Sequence, residues 1–202
     1  SYLYLKENAP KRGWGLYVFS LKSLNKLLVE VPAPMDERNT LEVGIWLFQD
    51  MKAQALAIAG SYRNSNIDGS SDVLNYYQTL YQVFHHTLKK NEVLQIRGYT
   101  ADNTPSLNNM IKPENEKNTS EQQTALWVKS GVPPSLNLLR LKQLVDKFDI
   151  KWGSNGSKNI QRDDSRRNFS ELILNRDSIR KVFSMSSVNT KDIPLLALDK
   201  TI

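Results

Sequence analysis

The segment Leu27-Leu28-Val29-Glu30-Val31-Pro32-Ala33-Pro34-Met35-Asp36-Glu37 constrains the fold of this chain more than any other. Its first half is an apolar, β-branched run with the composition of a buried strand. Neither Pro32 nor Pro34 can donate a ladder hydrogen bond, so the strand must stop there. The break delivers Asp36 and Glu37 just past its carboxyl end, where ligands and chemistry collect in α/β sheets. Arg38-Asn39-Thr40 then leads into an amphipathic segment beginning at Leu41.

The rest of the chain supplies partners for such a strand. Tyr2-Leu3-Tyr4-Leu5 alternates as a strand does, and Leu16-Tyr17-Val18-Phe19 follows a Gly13-Trp14-Gly15 turn. Because only residues 20–26 separate it from Leu27, this second strand is expected to be the antiparallel neighbour of the third. Residues 39–52 read as a helix, with Leu41, Ile45, Phe48 and Met51 on one face and Asn39 or Thr40 as the cap. Ala55-Leu56-Ala57-Ile58-Ala59-Gly60 is small and continuously apolar, a strand buried on both faces that completes a right-handed βαβ unit.

Residues 60–72 form a polar loop, and residues 73–88 a second helix carrying Leu74, Tyr77, Tyr81, Phe84 and Leu88 on one side. Residues 93–99 form a third core strand, so that parallel strands would present Asp36, Arg63 and Arg97 at one edge. Residues 100–123 read as a mobile surface loop and 124–128 as a fourth strand. Ser135 caps a helix running to Phe148, residues 152–167 are polar loop, and 168–174 are the last core strand. A short helix from Asn175 or Asp177 reaches Phe183, and an irregular tail covers 185–202. The expectation is one α/β domain spanning 1–202, with a mixed, mostly parallel central sheet and helices on both faces.

Composition excludes several classes. The 202 residues are 40% hydrophobic and 24% charged, ordinary for a globular chain. No apolar run reaches the ~18 residues of a membrane span. The chain has no cysteine, which removes disulfides and thiolate metal sites. A periplasmic or secreted setting is favoured slightly over the cytoplasm, and the opening Ser1 suits a mature or excised segment. The net charge of +6 is spread among acids, which argues against a nucleic-acid partner. Its densest cluster is Arg162, Arg166, Arg167, Arg176, Arg180 and Lys181, broken by Asp163, Asp164, Glu171 and Asp177. Of the tryptophans, Trp14 and Trp152 suit exposure, and Trp46 and Trp127 suit the core.

Reactive constellations are few. The only histidines, His85 and His86, are adjacent in a predicted helix and diverge by about 100°, so they do not ligate one ion together. They are expected to serve as a cap or at the surface. There is no HExxH, no glycine-rich phosphate loop, no GxSxG and no His-paired nucleophile motif.

A set of short motifs nevertheless recurs in a recognisable order: Gly13-Trp14-Gly15, Val29 to Asp36, Ala59-Gly60-Ser61-Tyr62-Arg63, Leu94-Gln95-Ile96-Arg97-Gly98 and Ser170-Glu171-Leu172. Over residues 14–181 it resembles the zinc-dependent N-formylglutamate amidohydrolase and carboxypeptidase-like hydrolases. That resemblance implies a phosphorylase/hydrolase-like three-layer sandwich. It also implies a Pro-His segment with an acid about three residues on, a second metal histidine ending a later strand, a late-strand glutamate base and a carboxylate-binding arginine. Here Ala33 stands at the first histidine position and Arg97 at the second. Asp36 or Glu37 matches the ligand acid, Arg63 the carboxylate-binding arginine and Glu171 a vestigial base. Arg97, protonated at every accessible pH, would then neutralise Asp36 or Glu37 together with Glu171 in place of a metal.

Three functional expectations result. The first is a non-catalytic domain without cofactor, acting as a binding or assembly module in bacterial cell-envelope or polysaccharide biology, with another envelope protein as partner. Arg63 and Arg97 would be its binding residues. The second is an active amidase or peptidase cleaving an amide next to a carboxylate, with zinc, His85 or His86 recruited. The third is a binder of an acidic polymer through Arg162, Arg166, Arg167 and Arg180.

Overall fold

The computed structural model describes residues 1–8, 12–100, 103, 107, 124–129, 135–145, 151–152, 159–165 and 169–185. The strands are β1 (Tyr2–Lys6), β2 (Leu16–Ser20), β3 (Asn25–Val31), β4 (Ala53–Ile58), β5 (Glu92–Gly98), β6 (Ala125–Val128), β7 (Lys151–Trp152) and β8 (Phe169–Leu174). The helices are α1 (Thr40–Asp50), α2 (Leu80–Leu88), α3 (Leu136–Val145), α4 (Ile160–Asp164) and α5 (Arg176–Met185). The strands join in one eight-stranded sheet of order β1-β2-β4-β3-β5-β8-β6-β7. The central run β4-β3-β5-β8 is parallel, while β1–β2, β2–β4 and β6–β8 are antiparallel. This is the mixed, centrally parallel α/β sheet expected from the strand-helix-strand alternation.

Alternation along each strand sorts the core into two sides. Val29, Val31, Leu94, Ile96 and Leu172 pack with Val43 and Leu47 of α1, Leu138 and Leu141 of α3, and Ile179 and Val182 of α5. Leu28, Ala57, Val93, Trp127 and Phe169 pack on the opposite side with Tyr81 and Phe84 of α2. The central strands read as unbroken apolar runs because they are covered twice.

Four local expectations are corrected. First, β2 and β3 are not neighbours, because β4 lies between them. A four-residue link reaches up to ~13 Å, and stepping over one strand needs only ~10 Å, so its shortness does not force pairing. β2 instead closes on β4 where two glycines meet. A Cβ on Gly15 (φ 91°) would lie 2.2 Å from the Ile58 carbonyl oxygen, and one on Gly60 2.5 Å from the Gly15 nitrogen.

Second, α2 begins at Leu80, not at Val73. The Asp72 carboxylate accepts from the Leu74 N–H and the Asn75 amide, holding a turn. The helix waits for Thr79, whose side chain accepts the Gln82 N–H at 3.0 Å. Tyr77, placed inward by the helical reading, is exposed. Third, neither Asn39 nor Thr40 caps α1 through its side chain. Asn39 is left-handed (φ 64°), and the Thr40 hydroxyl donates to the Glu37 carbonyl at 2.7 Å.

Fourth, the stretch read as a loop over 152–167 contains α4, capped by Asn159 accepting the Arg162 N–H, and Trp152 pairs with Leu126 in β7. The mobile loop placed at 100–123 lies outside the described residues except for Thr100, Asn103 and Leu107. The tail at 185–202 lies outside them except for Met185, and Phe148 lies outside them too. No helix among the described residues is long and apolar enough to cross a membrane.

Candidate functional site

Three polar side chains interrupt the apolar strands at one level of the sheet. Glu30 of β3 stands beside Gln95 of β5, and Gln95 beside Glu171 of β8. All three are fully buried. They alternate in phase with Leu28, Val93 and Phe169, so they face the α2 side. Buried carboxylates are costly unless paired and hydrogen-bonded, and each one here is.

One pair is built around Arg97, two residues beyond Gln95 on the same side of β5. Its guanidinium reaches Glu37 through Nη2 at 2.7 Å and Nε at 3.0 Å, and Glu171 through Nη1 at 3.2 Å. Glu37 arrives by way of the proline break. The Ala33 carbonyl accepts the N–H groups of both Asp36 (3.2 Å) and Glu37 (2.8 Å), which coils the chain back over the end of the sheet. Gly98 lets it approach, since a Cβ there would lie 3.0 Å from Thr40 Cγ2 and 3.3 Å from Glu37 Cβ. The Glu37 carboxylate also accepts the Gly98 N–H at 2.8 Å and the Asn103 amide at 3.0 Å. Burial alone would lower the basicity of Arg97, but Glu37 first and then Glu171 reverse this and hold it above its ordinary value.

The second pair is built around His85, which is fully buried and not the cap or surface residue expected, whereas His86 is at the surface as expected. Its Nδ1 lies 2.7 Å from Glu30 and its Nε2 3.1 Å from the Ser165 hydroxyl. Gln95 donates to Glu30 at 3.3 Å and accepts from Asn159 at 3.1 Å, which ties β3, β5 and α4 together. Burial depresses the imidazole pKa, and the adjacent Glu30 carboxylate more than reverses it, so the net direction is upward. Serine, imidazole and carboxylate stand in relay order, and all three are fully buried. His86 is exposed and pairs with Asp164, which Lys89 also holds at 2.9 Å.

Arg97, Glu37 and Glu171 therefore come together, and Asp36 and Arg63 take other positions. The half-buried Asp36 carboxylate accepts the Arg63 backbone N–H at 3.0 Å. The Arg63 guanidinium has no ion pair among the described residues. Ala33 is fully buried and offers only its carbonyl, and no three His, Cys, Asp or Glu among the described residues form a metal-binding group. Zinc needs a donor set of neutral imidazoles, thiolates and carboxylates, and a guanidinium supplies no lone pair. The residues around Arg97 do not fit a zinc ion.

Of the basic cluster, Arg162 pairs with Asp163 and lies over Trp127, and Arg180 pairs with Asp177. Arg166 and Arg167 lie outside the described residues. Trp14 is exposed, Trp127 is buried, and Trp46 packs partly buried against the core. Sequence reasoning passed over Glu30, Gln95, Asn103, Asn159 and Ser165, and misplaced His85. The signal was available for the first two: a polar residue set between apolar neighbours on a parallel strand, as Val29-Glu30-Val31 and Leu94-Gln95-Ile96. No family model, curated protein or solved structure matches this chain.

Proposed function

We propose that this chain is a non-catalytic, hydrolase-like domain that serves as a binding or assembly module. The observation that carries this reading is the Arg97 guanidinium seated between Glu37 and Glu171 at the carboxyl end of the parallel sheet. A hydrolytic centre needs a carboxylate free to take a proton from water and an electrophile to polarise the amide. Here Glu171 is bound to a cation that neither releases a proton nor accepts an electron pair, so the arrangement fixes shape. Arg63, on the loop after β4, is the side chain through which a carboxylate-bearing partner would be held. A bacterial envelope setting belongs to the same reading and rests on the cysteine-free composition alone.

The test is zinc content and amide hydrolysis measured on one preparation. We expect no copurifying zinc, no heat on titration with zinc, and no turnover of N-acyl amino acids or peptides. One tightly held zinc per chain, or a rate abolished by Glu171→Gln, overturns the proposal.

A further inference from the structure

Among the described residues, the edge of the sheet at β1 lacks the usual protections. Proteins blunt edge strands with charge, proline, bulges or a covering element. β1 pairs with β2 alone, and its five residues carry one charge, Lys6. Tyr2 (55%), Leu3 (51%), Tyr4 (55%) and Leu5 (50%) are half exposed on both faces of the sheet. The opposite edge ends on β7, a strand of two residues.

We propose that β1 is a homodimer interface, pairing antiparallel with β1 of a second copy about a two-fold axis at Tyr4. The pattern of the strand selects this occupant and this register. Leu21 N–H donates to the Ser1 carbonyl, and Ser1 lies opposite Leu21 when the β1–β2 register is continued outward. Main-chain groups of residues 1, 3 and 5 therefore point toward β2, and those of Tyr2, Tyr4 and Lys6 point outward. Centring the two-fold on Tyr4 sets Tyr4 against Tyr4 and Tyr2 against Lys6 of the second copy, so every outward group finds a partner. The same register sets Leu3 against Leu5 on the other face. Lys6 falls on a tyrosine ring and not on its own symmetry mate, so no like charges oppose each other. Centring on Leu5 sets Tyr2 against Asn8, past the end of the strand, and centring on Lys6 sets lysine against lysine. Tyr2 is already packed on Phe48 (ring centroids 5.7 Å apart), so one end of the surface is preformed.

Sedimentation equilibrium on the whole chain tests this. We expect a mass twice 23.1 kDa for the wild type. Tyr4→Pro removes an N–H that points away from β2, so we expect a folded monomer with an unchanged circular dichroism spectrum. Leu3→Lys/Leu5→Lys, which opposes like charges across the axis, should also be monomeric. Leu3→Lys/Leu5→Glu, which opposes unlike charges in the same register, should restore the dimer. A wild type that stays monomeric up to about millimolar concentration, or a dimer indifferent to Tyr4→Pro and to the charge pairs, overturns the proposal.

Discussion

Two polar clusters are buried side by side under the same helix, and they rest on basic side chains of different kinds. Arg97 is a permanent cation held by two carboxylates that reach it from a loop and a neighbouring strand. His85 is a titratable imidazole held by one carboxylate and one hydroxyl. The first cluster closes the carboxyl end of the sheet, and the second fastens α2 and α4 to its middle. The difference teaches that burial sets the need for a counter-charge, while the chemistry of the cation decides whether the solution depends on pH.

The largest expected effect comes from removing the permanent charge. Arg97→Met leaves Glu37 and Glu171 buried without their cation and should cost about 3–5 kcal/mol, read as a lower urea midpoint at pH 7. Adding Glu37→Gln and Glu171→Gln should recover much of that loss. If the triple variant is no more stable than Arg97→Met, electrostatic compensation is the wrong account of the cluster. Glu30→Gln should cost less, about 1–3 kcal/mol, because the imidazole can shed the proton it no longer shares.

The pH profile separates the clusters further. The folded pKa of His85 lies above its unfolded value of about 6.5. Its contribution is therefore complete below about pH 6.5 and is lost as pH rises through the higher folded value. Unfolding free energy measured across that window should fall with pH in the wild type and run flatter in His85→Gln. Arg97 adds no slope there, since it stays protonated in both states. An unchanged slope in His85→Gln would remove the imidazole from the account. The smallest effect belongs to Asn159→Ala, about 1 kcal/mol, which loses the cap of α4 and the contact to Gln95 while leaving the Arg97 cluster intact. Thermal unfolding at fixed pH reads it.

Much of the candidate site was legible in residues that violate the local pattern. Pro32 and Pro34 announced the end of β3, and the strand pattern set Arg97 at the same edge, whereas Glu171 was named only through the motif resemblance. Reading could not choose between Asp36 and Glu37. That choice follows from the turn at Ala33, which sends the Glu37 carboxylate to Arg97 and leaves Asp36 to hold the Arg63 backbone. His85 was misjudged for a similar reason. Its helix position says which way it points, but only the register of β3 and β5 reveals a buried carboxylate beneath it.

By itself the sequence determined the strand-helix-strand alternation, the doubly buried central strands and the acids at the proline break, because these follow from periodicity and backbone chemistry within a few residues. Only the tertiary structure decided that β4 inserts between β2 and β3, which acid meets Arg97, and that His85 is buried against Glu30. Those outcomes depend on contacts between residues some 30 to 80 positions apart, whose energies are set by burial and register and leave no trace in local composition.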